Sequence, residues 1–425
     1  VGYAALGANT TAESNTAVGF NAMLVNTTGA NSVAIGSTAL DANTTADNNV
    51  AVGFAALTAN TTGASNTAVG TNALLVNTTG SENTAIGFEA CRDVAETSDS
   101  DNMVAVGYRA LFMNASTTAD ATDSVAIGHE AMLADASTTA SLVSNAAVGK
   151  DALRIAANTT GAVNYNAAVG TQAMRFNANT TGSVQYNAAL GYEALEVDAN
   201  TTGTIQYNAA VGYRALKTAS NTTGNVQYNV AVGSSALLIN VANNNTAVGT
   251  SAMENNTTGA SNIAVGTSAM QANSGGGNNV AIGYAALATN TTSSGTTAIG
   301  TSALNLSTAT NNTALGAQAG DGITTGGDNI CIGFDAGSYT TNLTTGGSNI
   351  LIGNYSHTSI VGASYQTVIG YNVASSGDQT FTFGQATTDT TCTMGGTTWS
   401  APSDIRLKED IQDEVVGLAF INELR

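Results

Sequence analysis

Residues 31–40, Asn31-Ser32-Val33-Ala34-Ile35-Gly36-Ser37-Thr38-Ala39-Leu40, decide the architecture, because the chain repeats this phrase with small changes from end to end. Aligned on the glycine of Ala-Val-Gly or Ala-Ile-Gly, the first copies fall at Gly2, Gly19, Gly36, Gly53, Gly70 and Gly87, 17 residues apart. Steps of 20 and 21 lead through Gly107 and Gly128 to Gly149, Gly170, Gly191, Gly212 and Gly233. Steps of 16 or 17 follow through Gly249, Gly266, Gly283, Gly300, Gly316 and Gly333, and the series closes at Gly353 and Gly370, giving 21 units. Positions below are counted from this glycine.

Position −1 is always Val, Ile or Leu, as in Val18, Ile35 and Leu190. Position −2 is Ala in 17 of the 20 units that have it, the exceptions being Cys331, Leu351 and Val368. Position −4 is Asn in 15 of those 20, and position +3 is nearly always Ala followed by Leu or Met. Asn-Thr-Thr-Gly recurs between units, as at 26–29, 77–80, 200–203 and 256–259. A 17-residue unit is too short for a strand and a helix, but it fits two short strands and two turns. Period-2 alternation marks Asn-Thr-Ala-Val-Gly as a strand. The repeat glycine permits a sharp turn, and the Asn and Gly of Asn-Thr-Thr-Gly tolerate left-handed backbone. Stacked units of this kind form a parallel β-roll or β-helix in which like residues make ladders and asparagine amides can bond along the axis. Twenty steps of about 4.8 Å make a rod on the order of 100 Å long. The columns of small and branched apolar residues imply one lining inside the coil and one facing a partner, without saying which is which.

Composition agrees with a thin stacked core. Charged residues are 9% of the chain, with 47 Gly and a single Pro, which is not the charged or proline-rich profile of disorder. The net charge is −19, from 29 acidic and 10 basic residues, which argues against nucleic acid as a partner. No segment is long and apolar enough to span a membrane. The chain opens at Val1-Gly2-Tyr3, already inside the repeat, and stops at Arg425 inside an apparent helix, so a fragment of a longer protein is expected.

The phrase at residues 31–40 resembles the head repeat of YadA-like trimeric autotransporter adhesins, and the likeness runs from residue 1 to about 374. It implies an all-β solenoid of left-handed parallel rolls packed three abreast, a homotrimer. The units here are longer than that family's, through the added Asn-Thr-Thr-Gly loop, which leaves room for a different coil shape.

A transition segment follows at 375–402, with strand-like Thr380-Phe381-Thr382-Phe383 and a further β element from Thr390 to Trp399. Composition changes at Pro402. Ser403-Asp404-Ile405-Arg406-Leu407-Lys408 precedes helix-like apolar spacing at Ile411, Val415, Leu418, Phe420, Ile421 and Leu424. This motif resembles the start of the C-terminal intramolecular chaperone of endosialidase-type phage tailspikes and tail fibres. The resemblance implies a trimerising domain at 403–425 and beyond that cuts the chain between Pro402 and Ser403, with Ser403 as nucleophile and Lys408 as its base, a role a desolvated lysine can fill. The plain alternative is a serine helix cap followed by a solvated lysine.

Tyr165, Tyr186, Tyr207 and Tyr228 stand at position −5 of consecutive 21-residue units and should form an aromatic ladder, either a surface for a bacterial glycan or protein receptor or simply a structural stack. Seven of the ten basic residues lie in the same region: Arg92, Arg109, Lys150, Arg154, Arg175, Arg214 and Lys217. Cys91, Cys331 and Cys392 are scattered and read as small buried apolar residues with neither disulfide nor metal spacing. His129 and His357 stand alone. The Asn-Thr-Thr sites match glycosylation acceptors formally but read as turns. No metal, cofactor or catalytic constellation for an external substrate stands out. The expected function is a phage tail fibre shaft in the virion. The alternative is the head of a cell-surface adhesin. A polysaccharide-degrading tailspike would need a carboxylate-lined groove, and an ice-binding solenoid would need flat threonine ladders, which the sequence does not make evident.

Overall fold

The computed structural model of the chain describes residues 1–93, 100–114, 121–135, 138–177, 180–197, 201–217, 223–386, 388–396 and the strand at 399–400. Pro402, Ser403, Lys408 and the helix expected after them lie outside the described residues. Within these, the chain is an all-β parallel solenoid of about 20 turns with no helix.

Each turn, here called a rung, contributes one strand of three residues. Thr16–Val18 pairs in parallel with Val33–Ile35, which pairs with Val50–Val52, and so on through the rod. The register places Ala17 on Ala34 and Ala34 on Ala51, so each sequence column is one axial ladder. The expected second strand is absent from the 17-residue rungs. It exists only as two-residue strands in four long rungs: Val163–Asn164, Val184–Gln185, Ile205–Gln206 and Val226–Gln227.

Elsewhere the far side is held by left-handed residues at +2, +4 and −5. Thr38 (φ 54°), Leu40 (φ 53°) and Asn48 (φ 62°) are typical of a rung. Such backbone costs about 1–2 kcal/mol for each residue with a side chain. It recurs because it aims N–H groups along the axis. The Thr38 N–H donates back to Phe20 O at 2.8 Å, and the Leu40 N–H donates forward to Ala56 O at 3.0 Å.

The asparagine of Asn-Thr-Thr-Gly, expected to be left-handed, is not among the positive-φ residues. It is there for its amide. Asn43 Nδ2 donates to Asn26 Oδ1 of the rung before at 2.8 Å and to Ala46 O of its own turn at 3.0 Å. Asn60 repeats this with Asn43 and Gly63. A second amide ladder runs at −4, where Asn49 Oδ1 accepts the Asn66 backbone N–H at 2.9 Å and Asn66 Nδ2 donates to Gly80 O at 2.8 Å. Both ladders are buried. The polar interior is therefore satisfied, as burial requires.

The apolar interior is narrow. Ala at −2, Ala at +3 and Leu or Met at +4 are buried in rung after rung, for example Ala34, Ala39 and Leu40. Burying one leucine contributes about 2 kcal/mol. Two left-handed residues in the same rung cost about as much. A rung is thus marginal alone, and the bonds to its neighbours decide its stability. The repeat glycine is fixed by crowding as well as by φ: at Gly36 (φ 142°) a Cβ would run into the carbonyl oxygen of Gly53.

The long rungs widen this core. Ile155, Phe176 and Val197 on one side and Val163, Val184, Ile205 and Val226 on the other are buried additions. At the far end the parallel ladder runs one rung beyond Gly370, since Thr380–Gln385 pairs in register with Thr367–Tyr371 and sets Gly384 on Gly370. The last two strands, Thr390–Thr393 and Trp399–Ser400, turn antiparallel and end the stack.

Candidate interaction surfaces

The alternation of the strands settles which apolar column faces out. Position −2 points into the coil, while −3 and −1 point to solvent. Ile35 is 41% exposed, Leu190 52% and Leu315 48%, and the aromatic residues at +1 extend the strip, with Phe54 57% exposed. Side chains at −3 are Thr, Val, Ile or Ala and those at −1 Val, Ile or Leu in the 20 rungs from Gly19 to Gly370, so the strip carries no charge at these positions. A contiguous apolar surface of this length is far beyond the patches that isolated soluble chains leave exposed.

The expected tyrosine ladder is present. Ring centroids of Tyr165, Tyr186, Tyr207 and Tyr228 follow at 5.0, 5.1 and 5.1 Å with planes within 5° of parallel. The rings use their faces on one another, so the comb shows solvent its edges and hydroxyls, and only the two end rings keep a free face. A saccharide can meet this comb by hydrogen bonding but has few faces to stack on. Beside it runs an amide ladder in which Gln206 Nε2 donates to Gln185 Oε1 at 3.1 Å.

The basic residues of the long rungs form ion pairs between successive rungs. Glu89 holds Arg92 at 2.8 Å and Arg109 at 2.7 Å, Glu196 holds Arg175 at 2.7 Å and Lys217 at 2.8 Å, and Glu193 holds Arg214 at 2.7 Å. Arg214 also lies over the Tyr213 ring, 5.1 Å from its centre. Burial pushes the Glu193 carboxyl up, but hydrogen bonds from Arg214 and Tyr192 and the charge of Lys217 outweigh it and hold the group at about 2. Among the described residues Lys150 has no carboxylate within ion-pair distance, and it is exposed.

His129 does not stand as alone as its sequence suggested. It, Glu130 and Asp151 bring donor atoms within 4.8 Å of one another. Arg154 already lies 3.1 Å from Glu130 and 3.5 Å from Asp151, so a guanidinium takes the place where a cation would sit. His129 itself stacks on Tyr108 at 5.0 Å. His357 is placed away from that group, its Nδ1 2.9 Å from Tyr355 O. All three cysteines are buried, and burial pushes the Cys91 and Cys331 thiols up to about 12, so neither offers a thiolate near neutrality.

Asn26, Asn43, Asn60 and Asn77, each followed by Thr-Thr, are buried and bonded, which excludes them as glycosylation acceptors in the folded rod. The threonine ladders that the sequence did not make evident do form. Thr27, Thr44 and Thr61 each donate a hydroxyl to the carbonyl of the next rung, at 2.9, 3.2 and 3.0 Å. That file is used internally, leaving the single file of Thr28, Thr45 and Thr62 exposed.

No family model matches the chain, and no curated protein or solved structure does so either. No helix among the described residues is long and apolar enough to cross a membrane.

Proposed function

We propose that this chain is the shaft of a homotrimeric adhesive fibre, a phage tail fibre that binds a receptor on the bacterial surface and is matured by a self-cleaving chaperone segment beginning at Ser403. One observation carries the association: the aliphatic strip at −3, −1 and +1 runs the length of the rod with nothing in its own chain covering it. The repeat phrase of residues 31–40 and the Ser403–Lys408 motif supply the rest through the resemblances they carry. The wide rungs, with the tyrosine edges, the glutamine ladder and the paired charges, are the part with enough chemical variety to recognise a glycan or a protein.

The test is the mass of the 425-residue chain in solution by sedimentation. A trimer is expected, and Ile35→Lys with Ile86→Lys should reduce it to single chains, because a lysine on each rung would have to be desolvated. A monomeric wild-type chain would refute the reading. Cleavage is tested on the complete coding sequence: loss of everything after Pro402, abolished by Ser403→Ala, supports it, and an unchanged full-length mass refutes it.

The second reading is the head of a cell-surface trimeric autotransporter adhesin, favoured by the repeat phrase alone. It calls for the same trimer without cleavage before Ser403.

A further inference from the structure

An interface built from identical rungs has a difficulty of its own. Slipping one rod past another by one rung, about 4.8 Å, re-forms nearly every contact. A repetitive strand face specifies register poorly. The strip does contain one break in its period. In four successive rungs the −3 residue is alanine: Ala146, Ala167, Ala188 and Ala209. Val125 precedes them and Val230 follows them. All four stand on the outer side of their strands, Ala167 and Ala188 fully exposed. The face therefore carries a shallow notch four rungs long. The tyrosines at −5 border three of its rungs, Leu190 at −1 stands 52% exposed on its other side, and unpaired Lys150 marks its first rung at +1.

Resting on the self-association proposed above, we infer that the copies lie parallel with like rungs at the same height, and that this alanine notch sets their register. The occupant of the strip is a copy of the same chain because the strip repeats every rung along the whole rod. Only a partner with the same rise, maintained over the same length, can match it rung for rung. A copy shifted by one rung brings Val125 or Val230 against a level shaped for alanine and leaves a void at the opposite end of the notch. A copy in register does neither. The notch costs the coil nothing internally, since valine occupies the same outward position at Val33, Val50 and Val104.

Leu190 provides the probe. A diazirine analogue of leucine is placed at position 190 of the full chain, and isotopically light and heavy chains are mixed during refolding. Photolysis followed by mass spectrometry then identifies which residues of the neighbouring copy are captured. In the wild type the inter-chain adducts should fall within one rung of the neighbour, residues 184–194. In the variant Ala146→Val, Ala167→Val, Ala188→Val, Ala209→Val they should spread to the adjoining rungs, 163–173 and 205–215, with unchanged circular dichroism and unchanged mass in sedimentation. The single variant A188V should give a weaker form of the same spreading and serves if the fourfold variant misfolds. Wild-type adducts over several rungs, or a fourfold variant that stays within one, would overturn the register assignment while leaving association intact. Absence of inter-chain adducts together with single chains in sedimentation would instead remove the association itself.

Discussion

Replacing Asn60 by alanine probes the turn ladder most directly. Asn60 is wholly buried. Its Nδ2 donates to Asn43 Oδ1 at 3.2 Å and to Gly63 O at 2.9 Å, and Asn77 Nδ2 donates to Asn60 Oδ1 at 3.1 Å. Asn77 keeps its bond to Gly80, and Gly63 O keeps the one from Asn49. Asn43 Oδ1 loses the donor that Asn60 supplied. Three bonds at about 1 kcal/mol each, with a further cost for the acceptor left behind, give about 3–4 kcal/mol. At 1.4 kcal/mol per factor of ten, this is a fall of more than a hundredfold in local hydrogen-exchange protection. In a chain of rungs coupled only to their neighbours, the loss should centre on residues 40–80 and fade along the rod. Exchange followed by mass spectrometry reads it, with the rungs from Ile263 to Leu315 as the internal reference. A change below about tenfold around Asn60, or an equal change at the distant rungs, would refute the view that the amide ladder holds neighbouring rungs together.

Three further outcomes follow from the same geometry. Gly53→Ala, which combines a φ of 143° with a Cβ driven into Gly70, should open its rung by 3 kcal/mol or more, about a hundredfold in exchange, whereas Gly377→Ala, with nothing within 4 Å, should stay within about 0.5 kcal/mol. Because the Glu193 carboxyl is held at about 2, below its ordinary 4.5, its contribution is complete above 4.5 and is lost as pH falls toward 2. Glu193→Gln should flatten that part of the acid limb in exchange around residues 190–217, and an unaltered limb would mean the ion pairs there contribute nothing. Tyr186→Asn, which puts at −5 the residue found at Asn31 and Asn48, should leave the rung folded within about 1 kcal/mol, so any loss of binding to bacterial surface glycan in a pull-down assigns the comb to recognition, and intact binding assigns it to structure alone.

The axial stacking was legible because the repeat glycine and its alanines leave few alternatives: a column occupied by alanine in 17 of 20 units has to be crowded. The direction of the strip was not. Small and branched residues alternate by one position, and only the coil's curvature determines that Ala34 lies inside and Ile35 outside. The left-handed residues were hidden for a related reason. Leu40 and Thr38 carry no composition cue for positive φ, and their conformation is imposed by bonds to rungs 16 to 18 residues away. The asparagine of Asn-Thr-Thr-Gly was read as a backbone residue when its side chain is what matters. Among the site residues, the tyrosine comb was visible from its 21-residue spacing, but that its rings would face one another and not the solvent required the stacking distance. The pairing of Arg154 with Glu130 and Asp151 spans different rungs and follows from no local motif.

The axial direction of the inter-rung hydrogen bonds has a mechanical consequence. Strands lie across the rod, so the bonds joining Val18 to Ile35 and Ile35 to Val52 bear end-to-end tension in series. A pull on one end loads the terminal rung alone and peels it away before the next is strained. Bending spreads the load over many rungs and meets more resistance. Such a shaft is stiff against a glancing collision and weak against a steady tug, unless lateral neighbours share the force.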